Sequence, residues 1–402
     1  MPTRKAVGVA PGPRLVWAIM DFHLAEIDLA SDPGASLSGF WQGVTELSRA
    51  DSLKTFGYDD FAQTDNQARV ANLRDTREQR RVVVLALHGA DPTGASESHR
   101  VVPATGDSTV RPEDVLGVLF VEAPLLDNEH LGYLDPTVHP DSRGHGIGSA
   151  LVSEGERILA GWGRTTVLVW SIVTHAVSTQ SQDTIVDPAG TVALRTDDPA
   201  VGFALHRGFT FSQAERHSLQ HLPVAEDVLR EAIAEGASKA AGYELIQFVG
   251  QPPEELTEGM APLFAAMSTD PPLGAVDWRP EVWDVDRVVR AYEQMARGKE
   301  LYTTLARHVD SGEIVAFTQL KAPHDKPEVV WQENTLVLGA HRGHALGLWI
   351  KAANCAWISR ERPSSRRVHT WNADENAYML AINTRLGYHR ESIGAAWQKV
   401  LA

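Results

Sequence analysis

Val138-His-Pro-Asp-Ser-Arg-Gly-His-Gly-Ile-Gly148 returns later in the chain as Val337-Leu-Gly-Ala-His-Arg-Gly-His-Ala-Leu-Gly347, the closing glycines lying 199 residues apart. Self-similarity at a fixed offset marks a duplicated structural unit. An apolar run precedes each copy, Leu131 to Val138 and Thr335 to Leu338, and reads as a strand. A stretch of helical period follows, Gly148 to Ala160 and Leu346 to Arg360. Each half then offers another strand, Thr166 to Ser171 and Val368 to Asn372, and a helix ending at Gly208-Phe209 or Gly387-Tyr388. Glycine suits a helix C-terminus, where the backbone turns left-handed. These glycines are 179 residues apart, so the first half carries 20 extra residues, which the spacing puts in the Ser/Thr/Asp-rich loop Val173 to Arg195.

At 402 residues the chain exceeds what one hydrophobic core usually serves. The repeat predicts two domains, 1–222 and 243–402, joined by a linker, 223–242, that contains a short helix pattern, Val224 to Ala234. With 43% hydrophobic and 22% charged residues the composition is that of a globular protein. A net charge of -15 disfavours nucleic acid as a partner and mildly favours a cationic amine. Cys355 is the only cysteine, which excludes an intrachain disulfide and a cysteine-rich zinc site and fits a reducing compartment. Leu15 to Met20, closed off by Asp21, is too short for a signal-peptide core, and no run approaches the roughly 18 apolar residues of a membrane helix. The expectation is a soluble, cytoplasmic protein with no membrane partner. The long polar segment Gly89 to Glu113 reads as a surface excursion.

The repeated turn has its own chemistry. At the start of a helix it leaves main-chain N–H groups pointing outward, where the helix dipole adds positive charge, so it suits a pyrophosphate. Gly144, Gly146 and Gly148 remove side chains that would keep an anion at a distance. In the second copy Gly343 and Gly347 remain and Ala345 replaces the middle glycine, its amide still available if its backbone is helical. A single such turn reads equally as a plain strand-to-helix connection, but two copies in equivalent contexts favour the anion site. A dinucleotide fold lacks its acidic residue after the next strand, and a nucleotide-triphosphate loop lacks its Lys-Ser/Thr. The candidate binding residues are Val138, Arg143, Gly144, His145, Gly146, Ile147, Gly148 and Ser149, with Val337, Arg342, Gly343, His344, Ala345, Leu346, Gly347 and Leu348 in the second copy. His145 and His344 read as neighbours of the phosphates rather than metal ligands, and no metal is expected.

Both turns resemble motif A of the GNAT superfamily of acyl-CoA N-acyltransferases, through Arg143, Gly146 and Gly148 and through Arg342 and Gly347, with Ala345 as a departure. Asn372-Ala-Asp-Glu-Asn376 to Gly387-Tyr388 resembles motif B. The likeness spans nearly the whole chain and is to the actinobacterial two-domain type, of mycothiol-synthase-like architecture. It implies an α/β (α+β) protein of two tandem GNAT folds. Each would be a mixed, splayed sheet flanked by helices, with acetyl-CoA as acyl-donor substrate wedged in the gap. A primary amine of a small molecule would attack the thioester directly, and an amide near Val138 or Val337 would polarise the carbonyl.

The resemblance also implies site roles. Glu333 is the candidate base: it lies four residues before Val337, a spacing that in a regular strand puts both on one face. It reads equally as a solvated residue at a strand start. The matching positions of the first half, Gly132 and Leu134, are not ionisable. The slot of the family's tyrosine acid holds Ala204 and Asn383, leaving Asn383 as a hydrogen-bond donor to the sulfur, and Tyr378 reads as packing. Asn376 matches an asparagine that hydrogen-bonds pantetheine, where the first half has Asp197. The expectation is therefore that the second half catalyses while the first binds CoA without turnover. Met267-Ser-Thr-Asp270-Pro-Pro reads as lining for the acceptor or as a helix cap through Ser268 or Asp270, and Trp278, Trp283, Trp331 and Trp371 as packing or pocket wall. Two alternatives stay open: a CoA-binding sensor without turnover, and the same fold using a longer acyl-CoA or a carrier-protein thioester. The fused pair is compatible with a monomer or a homodimer.

Overall fold

The computed structural model describes residues 20–30, 36–90, 100–106 and 108–401. Residues 15–19 of the apolar N-terminal stretch, and 91–99 and 107 of the polar excursion, lie outside the described residues. The first half runs β1 (Phe22–Asp28), α1 (Phe40–Phe56), α2 (Asn66–Leu73), β2 (Gln79–His88), β3 (Arg100–Pro103), β4 (Val115–Pro124), β5 (Leu131–Val138), α3 (Ile147–Gly161) and β6 (Thr166–Val173). A small hairpin, β7 (Thr184–Val186) and β8 (Ala193–Arg195), occupies the inserted loop. Then come α4 (Pro199–His206), β9 (Thr210–His221) and the connecting α5 (Glu226–Lys239), which begins and ends later than the sequence pattern. The second half repeats the plan with β10 (Tyr243–Val249), α6 (Glu254–Met267), α7 (Val285–Met295), β11 (Lys299–His308), β12 (Ile314–Pro323), β13 (Val329–Val337), α8 (Leu346–Glu361), β14 (Arg367–Ala373), α9 (Ala377–Arg385) and β15 (His389–Val400).

Two features of the sheet position the site. The first is divergence. Strands β5 and β6 run parallel and pair only from Leu131 to Leu134, and β13 and β14 only from Val329 to Trp331. Beyond those residues each pair splays, and both Gly-containing turns sit at the open ends. The second is an exchange of closing strands. Among the described residues, the order through the middle of the 13-stranded sheet is β13-β14-β9-β15-β6-β5. Thus β9, from the first half, pairs with β14, while β15, from the second half, pairs with β6. The boundary near Leu222 holds along the chain, but in space the halves interlock.

Alternation along β5 explains the layering. Leu134 and Val138 face α3, where Gly155 lets helix and strand meet: a Cβ on Gly155 would come within 2.5 Å of Leu134 Cδ2. Tyr133, Asp135 and Thr137 face the other way. In the second half the face away from α8 is closed by α6 and α7, whose Met260, Leu263, Phe264, Val288 and Tyr292 pack on Phe317 and Leu336. Among the described residues no helix is long and apolar enough to cross a membrane.

The exchange predicts that fragments 1–222 and 223–402 do not fold apart, because each would expose a long unpaired strand edge. Separately produced fragments are expected to aggregate and co-produced fragments to associate as one complex. Size-exclusion chromatography with circular dichroism reads the outcome, and a monomeric, cooperatively melting 1–222 fragment contradicts it.

Candidate active site

Both turns share one construction. Arg143 Nε donates to the Val138 carbonyl at 3.2 Å, and Arg342 Nε to the Val337 carbonyl at 3.2 Å. Each arginine is also held by a carboxylate, Arg143 by Asp51 on α1 and Arg342 by Asp270 at 2.7 Å. Asp270 thus anchors the second turn rather than capping a helix. Ser268 Oγ donates to the Ala265 carbonyl and accepts from the Glu281 amide. Gly144, Gly146 and Gly343 have φ of 83°, 85° and 90°, and a Cβ on any of them would meet no atom within 4 Å. The space in front of the turns is open.

Helices α3 and α8 lack a capping side chain, so their first amides must find another acceptor. Among the described residues no protein acceptor engages the N–H groups of Gly144 to Ser149 or of Gly343 to Leu348. The donor sets fit a diphosphate. Ala345 corrects the expectation of a helical backbone: it is left-handed, with φ 55° and ψ 20°, as Gly146 is. Its amide is presented in the same way, at the cost of placing a Cβ where only glycine is relaxed. His145 lies with Nδ1 3.3 Å from the Ser142 carbonyl, and His344 packs beside Tyr243.

The gap offers one more donor in each half. The His139 amide bonds the Leu116 carbonyl across to β4, so the alternating ladder turns the Val138 N–H toward the gap. Leu338 bonds Val315 in the same manner and leaves Val337 facing its own gap. Pro136 removes the preceding gap-side amide.

The halves differ in what lies behind the gap. In the first half a cavity of about 670 Å³ opens on the face opposite α3, with Asp135, Thr137, Trp170 and Glu215 on its floor and Phe56 and Phe61 on its wall. Asp135 is exposed to the cavity; desolvation by the protein around it, then the nearby Asp51 carboxylate, raises its pKa. Burial likewise lifts Glu215 to about 7, against a hydrogen bond from Trp170 and with a small further rise from Glu375. Neither carboxylate has an ion-pair partner among the described residues. Glu215 fits beside the cavity because Gly394 opposite has no side chain; a Cβ there would lie 3.4 Å from both Glu215 Cβ and Oε2. The expectation that the first half lacks a counterpart of Glu333, because Gly132 and Leu134 are not ionisable, is therefore corrected. Positions at even spacing from Val138 face α3, and the odd position Asp135 faces the cavity.

Glu333 lies on the corresponding face of the second half, away from its helix, but even spacing from Val337 is not the reason. A bulge lies in the β12–β13 pairing, where Leu320 opposes Gln332 and Thr318 opposes Thr335. Gln332, Thr335 and Val337 consequently share the α8 face, and Glu333 is turned away from Val337. There it pairs with Lys321 at 2.5 Å. Asn376 caps α9, accepting from the Met379 amide at 3.2 Å, so its side-chain oxygen serves the helix rather than pantetheine. Asn383 is buried and donates to Asn372 Oδ1 at 2.7 Å, with its own oxygen unpartnered; its amide serves β14 rather than a sulfur. Tyr378 is 62% exposed and is not packing.

The second half still shapes the cavity. The segment carrying Phe56 and Phe61 is pinned through the fully buried Asp60, which receives Arg367 at 2.5 and 2.6 Å and His369 Nε2 at 2.9 Å. Burial raises the Asp60 carboxyl, but these two partners outweigh it and leave the pKa near about 2. The chain of bonds continues from His369 Nδ1 to His217 at 3.0 Å and on to Ser392 Oγ at 2.8 Å. Burial, with His369 beside it, lowers His217 to about 3, so this ring is neutral and relays hydrogen bonds between strands of both halves. Trp371 stacks on His217 and Trp331 lies tilted against His369, and Trp371 also lines the cavity.

Comparison with solved structures fits this architecture. The chain superposes on a tandem GNAT protein from the clavulanic acid biosynthesis pathway with a TM-score of 0.66 and 20% identity, covering 94% of this chain and 98% of that one. It superposes on a GCN5-related N-acetyltransferase from Sphaerobacter thermophilus at 0.54 and 16% identity, over 94% and 95% of the two chains. A GCN5-related glucosamine N-acetyltransferase region of a fungal multi-domain beta-N-acetylglucosaminidase matches at 0.54 and 13% identity, over 97% of this chain and 39% of that one. No family model matches, and no curated protein matches. The chain has the tandem GNAT fold.

The left-handed Ala345 yields a stability prediction. Ala345→Gly relieves the misplaced Cβ and is expected to stabilise the protein by about 1 kcal/mol, while Gly146→Ala costs about 1 kcal/mol. Urea denaturation measures both; a lower midpoint for Ala345→Gly contradicts the assigned conformation.

Proposed function

We propose that this chain is an N-acyltransferase that moves an acyl group from an acyl-CoA to an amine, and that the reaction takes place in the first half. The observation that carries the reading is the cavity behind the β5–β6 gap, which brings Glu215 and Asp135 to the side opposite the anion-seeking turn. The diphosphate of the donor would lie on the amides of Gly144 to Ser149, with Arg143 fixed against Asp51 beside it. Acetyl-CoA is the donor the fold suggests. The second turn would hold a CoA without turnover, since α6 and α7 close the face where an acceptor would enter.

The amine reaches the cavity protonated and must be neutral to attack. Glu215, ionised, accepts that proton. The nitrogen lone pair forms the C–N bond, the Val138 N–H meets the carbonyl oxygen as it gains charge, the C–S bond breaks, and the second proton lost by the nitrogen passes to the departing thiolate, so that CoA leaves as its thiol. No side chain stands in the family's acid position, where Ala204 is buried. That absence favours a second reading, a CoA-binding module without turnover, and the assay of thiol release separates the two.

Two outcomes are expected. A base works in its ionised form, so kcat/KM should rise with pH through about 7 as Glu215 loses its proton. Glu215→Gln should lower kcat by roughly 10²- to 10⁴-fold and remove that limb; a limb unchanged in the variant would exclude Glu215 as the base. In addition, Gly146→Glu places a carboxylate in the first anion seat and should abolish thiol release, whereas Ala345→Glu should leave most of it. The reverse pattern would transfer catalysis to the second half.

A further inference from the structure

A second cavity of about 450 Å³ adjoins the first along the same sheet face. Consecutive same-face residues connect them: Tyr133 lines the second and Asp135 the first on β5, Glu122 and Phe120 do so on β4, and Trp170 lines both. Same-face neighbours are about 7 Å apart along a strand, so one molecule can occupy both spaces. The two are chemically unlike. The inner chamber holds Asp135 and Glu215, neither of them ion-paired among the described residues, while the arginine in its lining, Arg69, is engaged by Thr45, Asn66 and the Gln63 carbonyl. In the outer chamber Glu122 is paired with Arg81, Asp127 with Arg287 and Glu78 with Arg290, which leaves its rings as the distinctive surface.

Those rings form a wall. Tyr133 stands 6.1 Å from both Trp170 and Trp278, at interplanar angles of 31° and 42°. Trp278 comes from the second half, on a segment fastened to the first. The Arg279 amide donates to Asn128 Oδ1 at 2.8 Å, Asn128 Nδ2 donates to the Arg279 carbonyl at 3.2 Å, and His130 Nε2 lies 3.0 Å from the Asp277 carbonyl oxygen. The wall is thus preformed, a property of small-molecule sites.

Resting on the acyltransferase reading above, we infer that the acceptor is a primary amine joined by a short spacer to a flat aromatic body. The ammonium seats against Asp135 and Glu215, and the ring lies among Tyr133, Trp170 and Trp278. The inner chamber receives the amine because it lies beside Thr137 and Val138, at the open end of the gap. The outer chamber lies behind the last paired residues and receives the part that does not react. The second half would then supply acceptor selectivity to a reaction run by the first.

Calorimetry with the full chain and no acyl donor tests this, using n-butylamine and 4-phenylbutylamine as probes. The expected result is at least tenfold tighter binding of the phenyl compound. Trp278→Ala should reduce that preference to under twofold, and Trp278→Phe should restore most of it, which a merely misfolded variant would not do. Equal affinity of wild type for the two amines overturns the inference, as does a preference that survives Trp278→Ala. Thiol release from acetyl-CoA is measured separately on the same amines. Ring preference without release sinks the acyltransferase reading and leaves the chamber, whereas release without ring preference sinks the chamber alone.

Discussion

The closing strands of the two halves lie side by side in one ladder, and the site depends on that pairing. With β15 paired to β6 and β9 carried across to β14, the edges of both splayed pairs are tied to strands from the other half. A parallel pair that diverges leaves main-chain groups unpaired in the gap, and such groups are tolerated only where a ligand or water can reach them. Covering the outer edges with the exchanged strands confines the unpaired groups to the two gaps. It also brings Glu215 opposite Gly394, and so to the floor of the cavity.

Duplication supplied two equal anion turns, and packing made their surroundings unequal. Both turns keep the arginine that bonds back to its own strand and is held by an aspartate. In the first half α1 packs on the sheet through Phe40, Trp41, Val44 and Leu47, while its later residues and α2 border a cavity, with Asp60 fixed by Arg367 and His369. In the second, α6 and α7 fill the same face with apolar side chains, and Glu333 is neutralised by Lys321. Asp135 opens onto the chamber and Glu215 lies half-buried beside it, and neither has an ion-pair partner among the described residues.

Part of the site was legible because it is local. Glycine spacing at 144, 146 and 148 and the arginine before it concern residues within a few positions of each other, and the recurrence 199 residues later repeats that same short pattern. What failed were inferences about faces. Counting by twos from Val138 selected Leu134, although that face belongs to α3 and the cavity residue is Asp135. Counting by twos from Val337 selected Glu333, and a bulge of one residue had already reversed the face. Ala345 looked like a residue in the helical region, because nothing in its identity announces a positive φ.

The sequence by itself determined the duplication, the strand-turn-helix units and the Gly-containing turn beside each gap, since turn conformation and helix start are set by neighbouring residues. Only the tertiary structure decided which half has a cavity behind its gap, and which carboxylates line it. Glu215 comes from a strand 80 residues beyond Asp135, and its opposite number Gly394 from the far end of the chain. Such residues meet through strand order, a property of the whole sheet that no local pattern records.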